Sequence, residues 1–310
     1  MGREVHAADE LTPAPPAASS GGRRRLGPFA LTAPAALGLL LFFAAPVAVF
    51  FVYSFLTGAV FSFTAEGPAT IGNYVDVFEA PSTKDLLGNS AIVGLLVGTF
   101  CLAIGTPVAY WIRYHAGRYQ NLVLLLVIAA LFASYLVRIY AWRSMLGTDG
   151  VINSGLESAG VIEEPLGFLV FSRFAVVVAI VHILLPFVIL ILYAAFRPLE
   201  PRYLEASEDL GAGMVNRWRR VILPLIAIPA MSAFMLCFVI SSADYVTPQF
   251  LGGPESSMVG VQIQNYFKAQ GDYPLGAALA ITVLVGYLIV QAILLAGLKL
   301  MGVRRVEWRS

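Results

Sequence analysis

Charge is scarce in this sequence. Only 13% of its 310 residues are Asp, Glu, Lys or Arg, whereas an ordinary soluble domain has about 25%. Its two cysteines are too few for a disulfide-rich scaffold. The formal net charge of +1 gives no basic field that would attract nucleic acid. Because 58% of the residues are apolar, the composition also excludes a soluble globule and a disordered chain.

Motifs for catalysis and cofactor binding are missing as well. The sequence contains no G-x-x-x-x-G-K-[ST] phosphate loop, no nucleophile elbow and no metal-ligand spacing, so we expect no enzyme activity and no bound cofactor in this chain. Cys101 and Cys237 lie in separate apolar runs, where we expect them to pack rather than to bind metal. His182 also lies within an apolar run. It is a functional candidate there, with a hydrogen bond to a neighbouring helix as the alternative.

Long apolar runs are what the sequence has instead. A helix needs about 20 apolar residues to cross a hydrocarbon core about 30 Å thick. Six charge-free runs approach or exceed that length, so we predict an all-α membrane protein with six transmembrane helices. Barrel strands are excluded because the runs lack their short alternation. The runs are 29–53, 89–112, 119–137, 174–196, 221–243 and 275–298.

Two short tails flank the membrane region. Residues 1–27 are rich in proline, serine and glycine, which predicts a disordered tail, and residues 28–300 form the predicted six-span domain. Residues 301–310 form a second tail. The first apolar run is longer than the 7 to 15 residues of a signal-peptide core, so we predict that it stays as a membrane anchor.

Basic residues are distributed unevenly between alternate connections. Fifteen of the 20 Lys and Arg residues fall at the two termini and in the second–third and fourth–fifth connections. The positive-inside rule therefore predicts that both termini are cytoplasmic. The opposite side carries eleven acidic residues and a net charge of −6, which would concentrate cations there. Acidic loops that serve only solubility are the alternative.

The connection between the fourth and fifth runs, residues 197–220, has the pattern of an ordered element. Pro201 suits the first turn of a helix, which would place Tyr203, Ala206 and Leu210 on one apolar face. Glycines 211 and 213 are predicted to end that helix. A second apolar stripe then leads into the fifth run, and it consists of Met214, Trp218 and Val221. A helix, a bend and a rigid continuation could pass motion from a soluble partner to the membrane.

Seven residues of this region match the spacing of a known signature, E-A-A-x-x-x-G-x9-I-x-L-P. They are Glu205, Ala206, Ser207, Gly211, Val221, Leu223 and Pro224, and only Ser207 and Val221 depart from it. The chain thus resembles the inner-membrane permease subunits of binding-protein-dependent ABC importers. The stretches 136–154 and 244–267 resemble those of spermidine/putrescine permeases, although permeases for iron, thiosulfate or opines are similar there.

This resemblance implies a type I ABC importer permease in the bacterial cytoplasmic (inner) membrane. It implies half of a pore completed by a second homologous permease, a cytoplasmic ATPase dimer that uses ATP and Mg, and an extracytoplasmic solute-binding protein. The signature residues, together with Gly213, would couple the ATPase to the fifth span through Pro224. A polyamine cargo, spermidine or putrescine, would agree with the acidic outer side.

Candidate residues for the substrate path lie near the outer ends of the third and fifth runs. Aromatic rings and a carboxylate there could receive an ammonium group by cation–π contact and charge pairing. They are Tyr140, Trp142, Asp244 and Tyr245. The alternatives are interfacial anchoring for the aromatic residues, and helix capping or an ion pair with Arg138 for Asp244. Arg138 would repel a cation, so it needs an acidic partner if it lines the path.

Two other function classes have less support. A secondary transporter should carry paired charges inside its spans, and His182 is the main candidate that this chain offers. An enzyme acting on lipid head groups should place acids beside a histidine or in metal-ligand spacing. The acids of the fourth–fifth connection, Glu200, Glu205, Glu208 and Asp209, have neither.

Overall fold

The computed structural model describes residues 28–57 and 68–300, and the side chains of 32–57 and 68–297. The predicted tails, 1–27 and 301–310, lie outside the described residues. All regular elements of the described part are helical, as the composition predicts. The α-helices are α1 (Pro28–Tyr53), α2 (Gly72–Glu79), α3 (Pro81–Tyr114), α4 (Gln120–Leu131), α5 (Tyr135–Leu146), α6 (Val151–Ser158), α7 (Arg173–Phe196), α8 (Pro201–Asp209), α9 (Met214–Arg217), α10 (Leu223–Ser242), α11 (Val246–Leu251), α12 (Val259–Asn265) and α13 (Tyr273–Leu300).

Five described helical stretches are long and apolar enough to cross a membrane. They correspond to all the predicted runs except the third. Two are longer than predicted, because α3 begins eight residues before its charge-free run and α9 continues into α10. The stretches are Thr32–Tyr53, Pro81–Tyr114, Arg173–Phe196, Met214–Ser242 and Tyr273–Gly297.

The third predicted helix, 119–137, is wrong as a single helix. The chain bends by 92° between Gly117–Leu131 and Tyr135–Ser158, so the two parts together form either a sixth span that is broken or a re-entrant loop. A guanidinium nitrogen of Arg138 donates to the carbonyl oxygen of Ala133 at 2.6 Å, which satisfies a backbone group that the break leaves free. A break of this kind leaves the apolar run intact, so hydropathy could not reveal it.

The contacts divide the chain into residues 1–48 and 49–310. The described part of the first unit is the helical stretch from residue 28 to residue 48, which contains Pro34 and Pro46. In the second unit the main core lies among α3, α7 and α10. Both cysteines are buried there as free thiols, and the Cys101 Sγ lies 3.7 Å from the carbonyl oxygen of Val181.

Glycines on α3 let α10 approach closely. A Cβ atom on Gly94 would lie 2.7 Å from the ring of Phe238, and one on Gly98 would lie 2.8 Å from the ring of Phe234. The two phenyl rings are stacked, with centroids 6.3 Å apart. Phe238 is also buried and packs edge-on against Tyr287, so its ring has little room to move. The lack of a side chain at Gly94 and Gly98 therefore allows the close distance between α3 and α10.

Gly94→Ala is expected to destabilise the protein, because the added methyl group collides with the confined Phe238 ring. Overpacking of this kind costs about 1–3 kcal/mol. The measurement is the midpoint of thermal unfolding in detergent, determined from the fraction of protein that stays monodisperse as the temperature rises. Gly88→Ala is the matched control, since nothing lies within 4 Å of its Cβ position on the same helix. An unchanged midpoint for Gly94→Ala would contradict the close approach.

Candidate functional site

The 197–220 connection contains the predicted helix, α8, with Pro201 at its first position. Leu204 and Ser207 are its buried residues. The Ser207 hydroxyl donates to the carbonyl oxygen of Leu204 at 2.6 Å, so its own helix satisfies it. This explains how serine replaces the alanine of the signature at an inward-facing position.

A left-handed residue ends α8. Gly211 has φ +78°, its N–H donates to the Glu208 carbonyl at 2.8 Å, and the Ala212 N–H donates to the Ser207 carbonyl at 2.9 Å. These two bonds form a Schellman motif, which favours glycine at the left-handed position. The prediction that both glycines end the helix is wrong for Gly213, which has ordinary extended geometry and precedes α9.

Apolar side chains surround this bend and are exposed. Leu210 is 89% exposed and Val215 is 78% exposed, and the other members of the patch are exposed too. Large contiguous apolar patches are rare on the water-exposed surfaces of proteins, and where they occur they mark interaction sites. We call the set the bend patch, and it consists of Tyr203, Ala206, Leu210, Met214 and Val215. The exposed Glu205 carboxylate lies on the same helix and makes no hydrogen bond or ion pair with the described residues.

An ion pair that sequence reasoning missed closes the bend. Glu208 on α8 pairs with Arg217 on α9, and the Arg217 side chain is only 14% exposed. The signal in the sequence was an acid and a base placed on either side of two glycines. The pair joins the two short helices, so the bend patch is held on a defined turn.

A π-helical turn, Trp218–Ile222, connects α9 to α10 without a break. The Leu223 N–H donates to the Trp218 carbonyl, and Pro224 follows in the first turn of α10. In a regular α-helix the proline ring would collide with the carbonyl of Arg220, and the wider turn accommodates it. Val221 and Leu223 lie partly exposed at this junction. The bend is thereby joined directly to a helix of membrane-spanning length.

Asp244 lies just beyond the C-terminal end of α10 and caps α11. One carboxylate oxygen accepts the Val246 N–H at 2.9 Å and the more distant Thr247 N–H at 3.4 Å. The other accepts the Tyr135 hydroxyl at 2.6 Å. Asp244 was expected either to contact a cation or, as an alternative, to cap the end of a span, and the helix that it caps is the short α11 rather than the span α10. No ion pair joins Asp244 to Arg138 among the described contacts.

The structure separates the other predicted substrate-path residues. The Tyr140 ring lies 5.2 Å from that of Phe250 on α11, beside the helix that Asp244 caps, and Tyr245 is exposed next to Asp244. Trp142 instead donates its indole N–H to Nδ1 of His182 on α7 at 3.2 Å. His182 thus makes the helix-to-helix hydrogen bond that was its alternative.

The guanidinium of Arg138 makes its hydrogen bonds with backbone carbonyl groups. Besides Ala133, its guanidinium donates to the carbonyl oxygen of Ile183 on α7 at 3.4 Å, and no acidic partner occurs among the described residues. The acidic partner that Arg138 would need if it lined a cation path is therefore not found among the described residues, and backbone carbonyls of Ala133 and Ile183 accept its hydrogen bonds instead. The sequence also gave no sign of the amide contact between Gln249 and Gln264, which links α11 to α12.

Residues 101–296 match a family model described as "Binding-protein-dependent transport system inner membrane component". The chain is 34% identical over 253 residues to the "Spermidine/putrescine transport system permease protein PotB" of Haemophilus influenzae, covering 81% of this chain and 87% of the relative. It is 38% identical over 102 residues to PotC of Escherichia coli, a "Spermidine/putrescine transport system permease protein", covering 33% and 38%. A bacterial alginate ABC transporter, solved in complex with an alginate-pentasaccharide-bound periplasmic protein, contains a chain that matches with a TM-score of 0.70 at 17% identity, covering 86% of this chain and 91% of that one.

Proposed function

Because this chain belongs to the family of binding-protein-dependent transport system inner membrane components, we propose that it is a permease subunit of an ATP-driven polyamine importer. The proposal that an ATPase drives this subunit rests on one observation. The exposed bend patch lies on a glycine turn that continues into α10. The proposal that the cargo is a polyamine rests on the PotB relative, which this chain matches over most of its length.

The bend patch and Glu205 are the docking surface for a cytoplasmic ATPase in this proposal. ATP and Mg are bound by that partner, which is a dimer, and its closure displaces α8. The displacement reaches α10 through the π turn and Pro224. Both termini are then cytoplasmic, and the protein lies in the bacterial inner membrane. The rigid turn made by Gly211 and the ion pair of Glu208 with Arg217 support this role, because a flexible loop would absorb the motion.

A second permease completes the pore, and an extracytoplasmic binding protein delivers the cargo. The PotC match supports a partner that is a different but homologous chain. The periplasmic protein bound to the alginate transporter supports delivery from outside. Asp244, Tyr245 and Tyr140 are the proposed cation contacts, since no basic side chain pairs with the carboxylate among the described residues. Trp142 and Arg138 do not contact the cargo in this proposal, and they position α5 by hydrogen bonds to α7.

The experiment is purification of the tagged protein in mild detergent, identification of its bound partners, and reconstitution into liposomes with its binding protein. We expect an ATPase and a second permease, and uptake of radiolabelled spermidine or putrescine that requires ATP. If ATP drives the uptake of another solute and not of a polyamine, the proposed cargo is wrong and the proposed importer stands. Purification without an ATPase, with uptake that continues after ATP depletion, would contradict the importer.

A further inference from the structure

Aromatic rings gather where the 197–220 connection meets the helical core. Tyr110 on α3 lies at the centre, with its ring 5.1 Å from Trp218, 5.9 Å from Phe196 and 4.8 Å from Tyr114. Phe196 is fully buried at the end of α7, and Trp218 is half-buried. We call Tyr110, Tyr114, Phe196 and Trp218 the aromatic cluster. It joins three separate parts of the chain at one point.

The aromatic cluster holds both ends of the connection. The Tyr114 hydroxyl donates to the carbonyl oxygen of Leu199 at 2.8 Å, just before α8 begins. Trp218 is the first residue of the π turn, just after α9 ends. The segment between these two points, with the bend patch on it, therefore projects from a base that is fixed to α3 and α7.

The π turn is the weak point in the path from the bend to α10. Its i to i+5 hydrogen bonds are a rare geometry, and Pro224 after it can donate none, so this turn deforms more easily than the α-helix on either side. A displacement that enters through α9 can therefore tilt α10 or be lost in the turn. If a side chain at the start of the turn packs against a rigid neighbour, the turn cannot absorb the displacement, and α10 tilts. Close-packed interiors transmit such movements because they do not compress.

We infer that Trp218 is a positioning residue, seated against Tyr110, on which the helix from Met214 to Ser242 pivots when the bend is displaced. The inference rests on the proposed function, because the ATPase supplies the displacement. The ring pair with Tyr110 connects Trp218 to α3. With this contact, movement of the bend tilts α10 against α3. Without it, the π turn absorbs the movement.

The test uses the complete reconstituted complex, with ATPase, second permease and loaded binding protein, and measures solute transported per ATP hydrolysed. Trp218→Ala should assemble and keep ATP hydrolysis within about twofold of the wild type, while transport per ATP falls at least about tenfold. Trp218→Phe should restore most of the ratio because it keeps a ring. Tyr110→Leu should lower the ratio as Trp218→Ala does, and the double variant should be no worse than either, since neighbours in one contact are not additive.

Trp111→Ala is the matched control. Trp111 follows Tyr110 on the same helix, is 48% exposed, and makes no ring contact with the described residues, so the ratio should not change. A wild-type ratio in Trp218→Ala would overturn the inference, as would equal loss of hydrolysis and transport in both the Ala and Phe variants. If Trp218→Ala does not assemble, Tyr110→Leu decides by the same ratio. A wild-type complex without ATP-driven uptake would instead overturn the proposed function, and the inference with it.

Discussion

Gly211→Pro is expected to abolish ATP-driven uptake. Proline fixes φ near −65°, whereas Gly211 has φ +78° and its N–H donates to the Glu208 carbonyl. The Schellman turn cannot form, so α8 and the bend patch lose their direction. Gly211→Ala has a smaller effect, because a left-handed alanine costs about 1–2 kcal/mol. Gly211→Asn retains most uptake, since asparagine adopts this conformation more readily. The measurement is uptake of labelled polyamine at equal amounts of protein in the membrane.

Gly213→Ala is the control for this series. Gly213 has φ −63°, and nothing lies within 4 Å of its Cβ position, so alanine fits without strain. We expect uptake close to that of the wild type. If Gly211→Pro transports normally, or if Gly213→Ala is as defective as Gly211→Pro, then the turn does not couple the ATPase to the spans.

Asp244→Asn is expected to lower the maximal uptake rate of a polyamine about tenfold or more, which corresponds to about 1.4 kcal/mol in the barrier. The amide keeps a side-chain oxygen that caps α11, and it can still bond the Tyr135 hydroxyl, so folding should be preserved. What the substitution removes is the negative charge next to Tyr245. The measurement is the initial rate of uptake at saturating loaded binding protein, with thermal unfolding measured on the same sample.

Asp272→Asn provides the comparison. Asp272 also caps a helix, accepting the Leu275 N–H at 3.1 Å before α13, and like Asp244 it lies in the connection between the fifth and sixth apolar runs. If the charge of Asp244 acts on the cargo, only Asp244→Asn reduces uptake. Equal rates in the two variants would show that Asp244 serves as a cap alone.

Local patterns in the chain were sufficient for five of the six predicted spans and for the helix and glycine turn of the 197–220 connection. Apolar runs of membrane-spanning length depend on composition over about 20 residues, and five of six were located correctly. The end of α8 was also readable, because a glycine after an amphipathic stripe marks a left-handed C-cap. Gly213 has the same composition signal without the conformation, and only the backbone angles separate the two glycines.

Contacts between distant residues were beyond such patterns. Tyr140 and Trp142 are two positions apart on α5 and so point in different directions, but which helix each one meets depends on the packing of α7 and α11. The hydrogen-bond partner of Arg138 could not be predicted either, because every residue has a backbone carbonyl and the sequence does not show which one is free.

Composition, periodicity and spacing thus determined the membrane class, most of the spans and the helix–glycine–helix element, because each depends on residues that are neighbours along the chain. The tertiary structure alone decided that the third run breaks by 92°, that Asp244 caps α11, and that Trp218 seats against Tyr110. Those features arise where residues far apart in sequence compete for the same space and the same hydrogen bonds, and only the folded chain settles that competition.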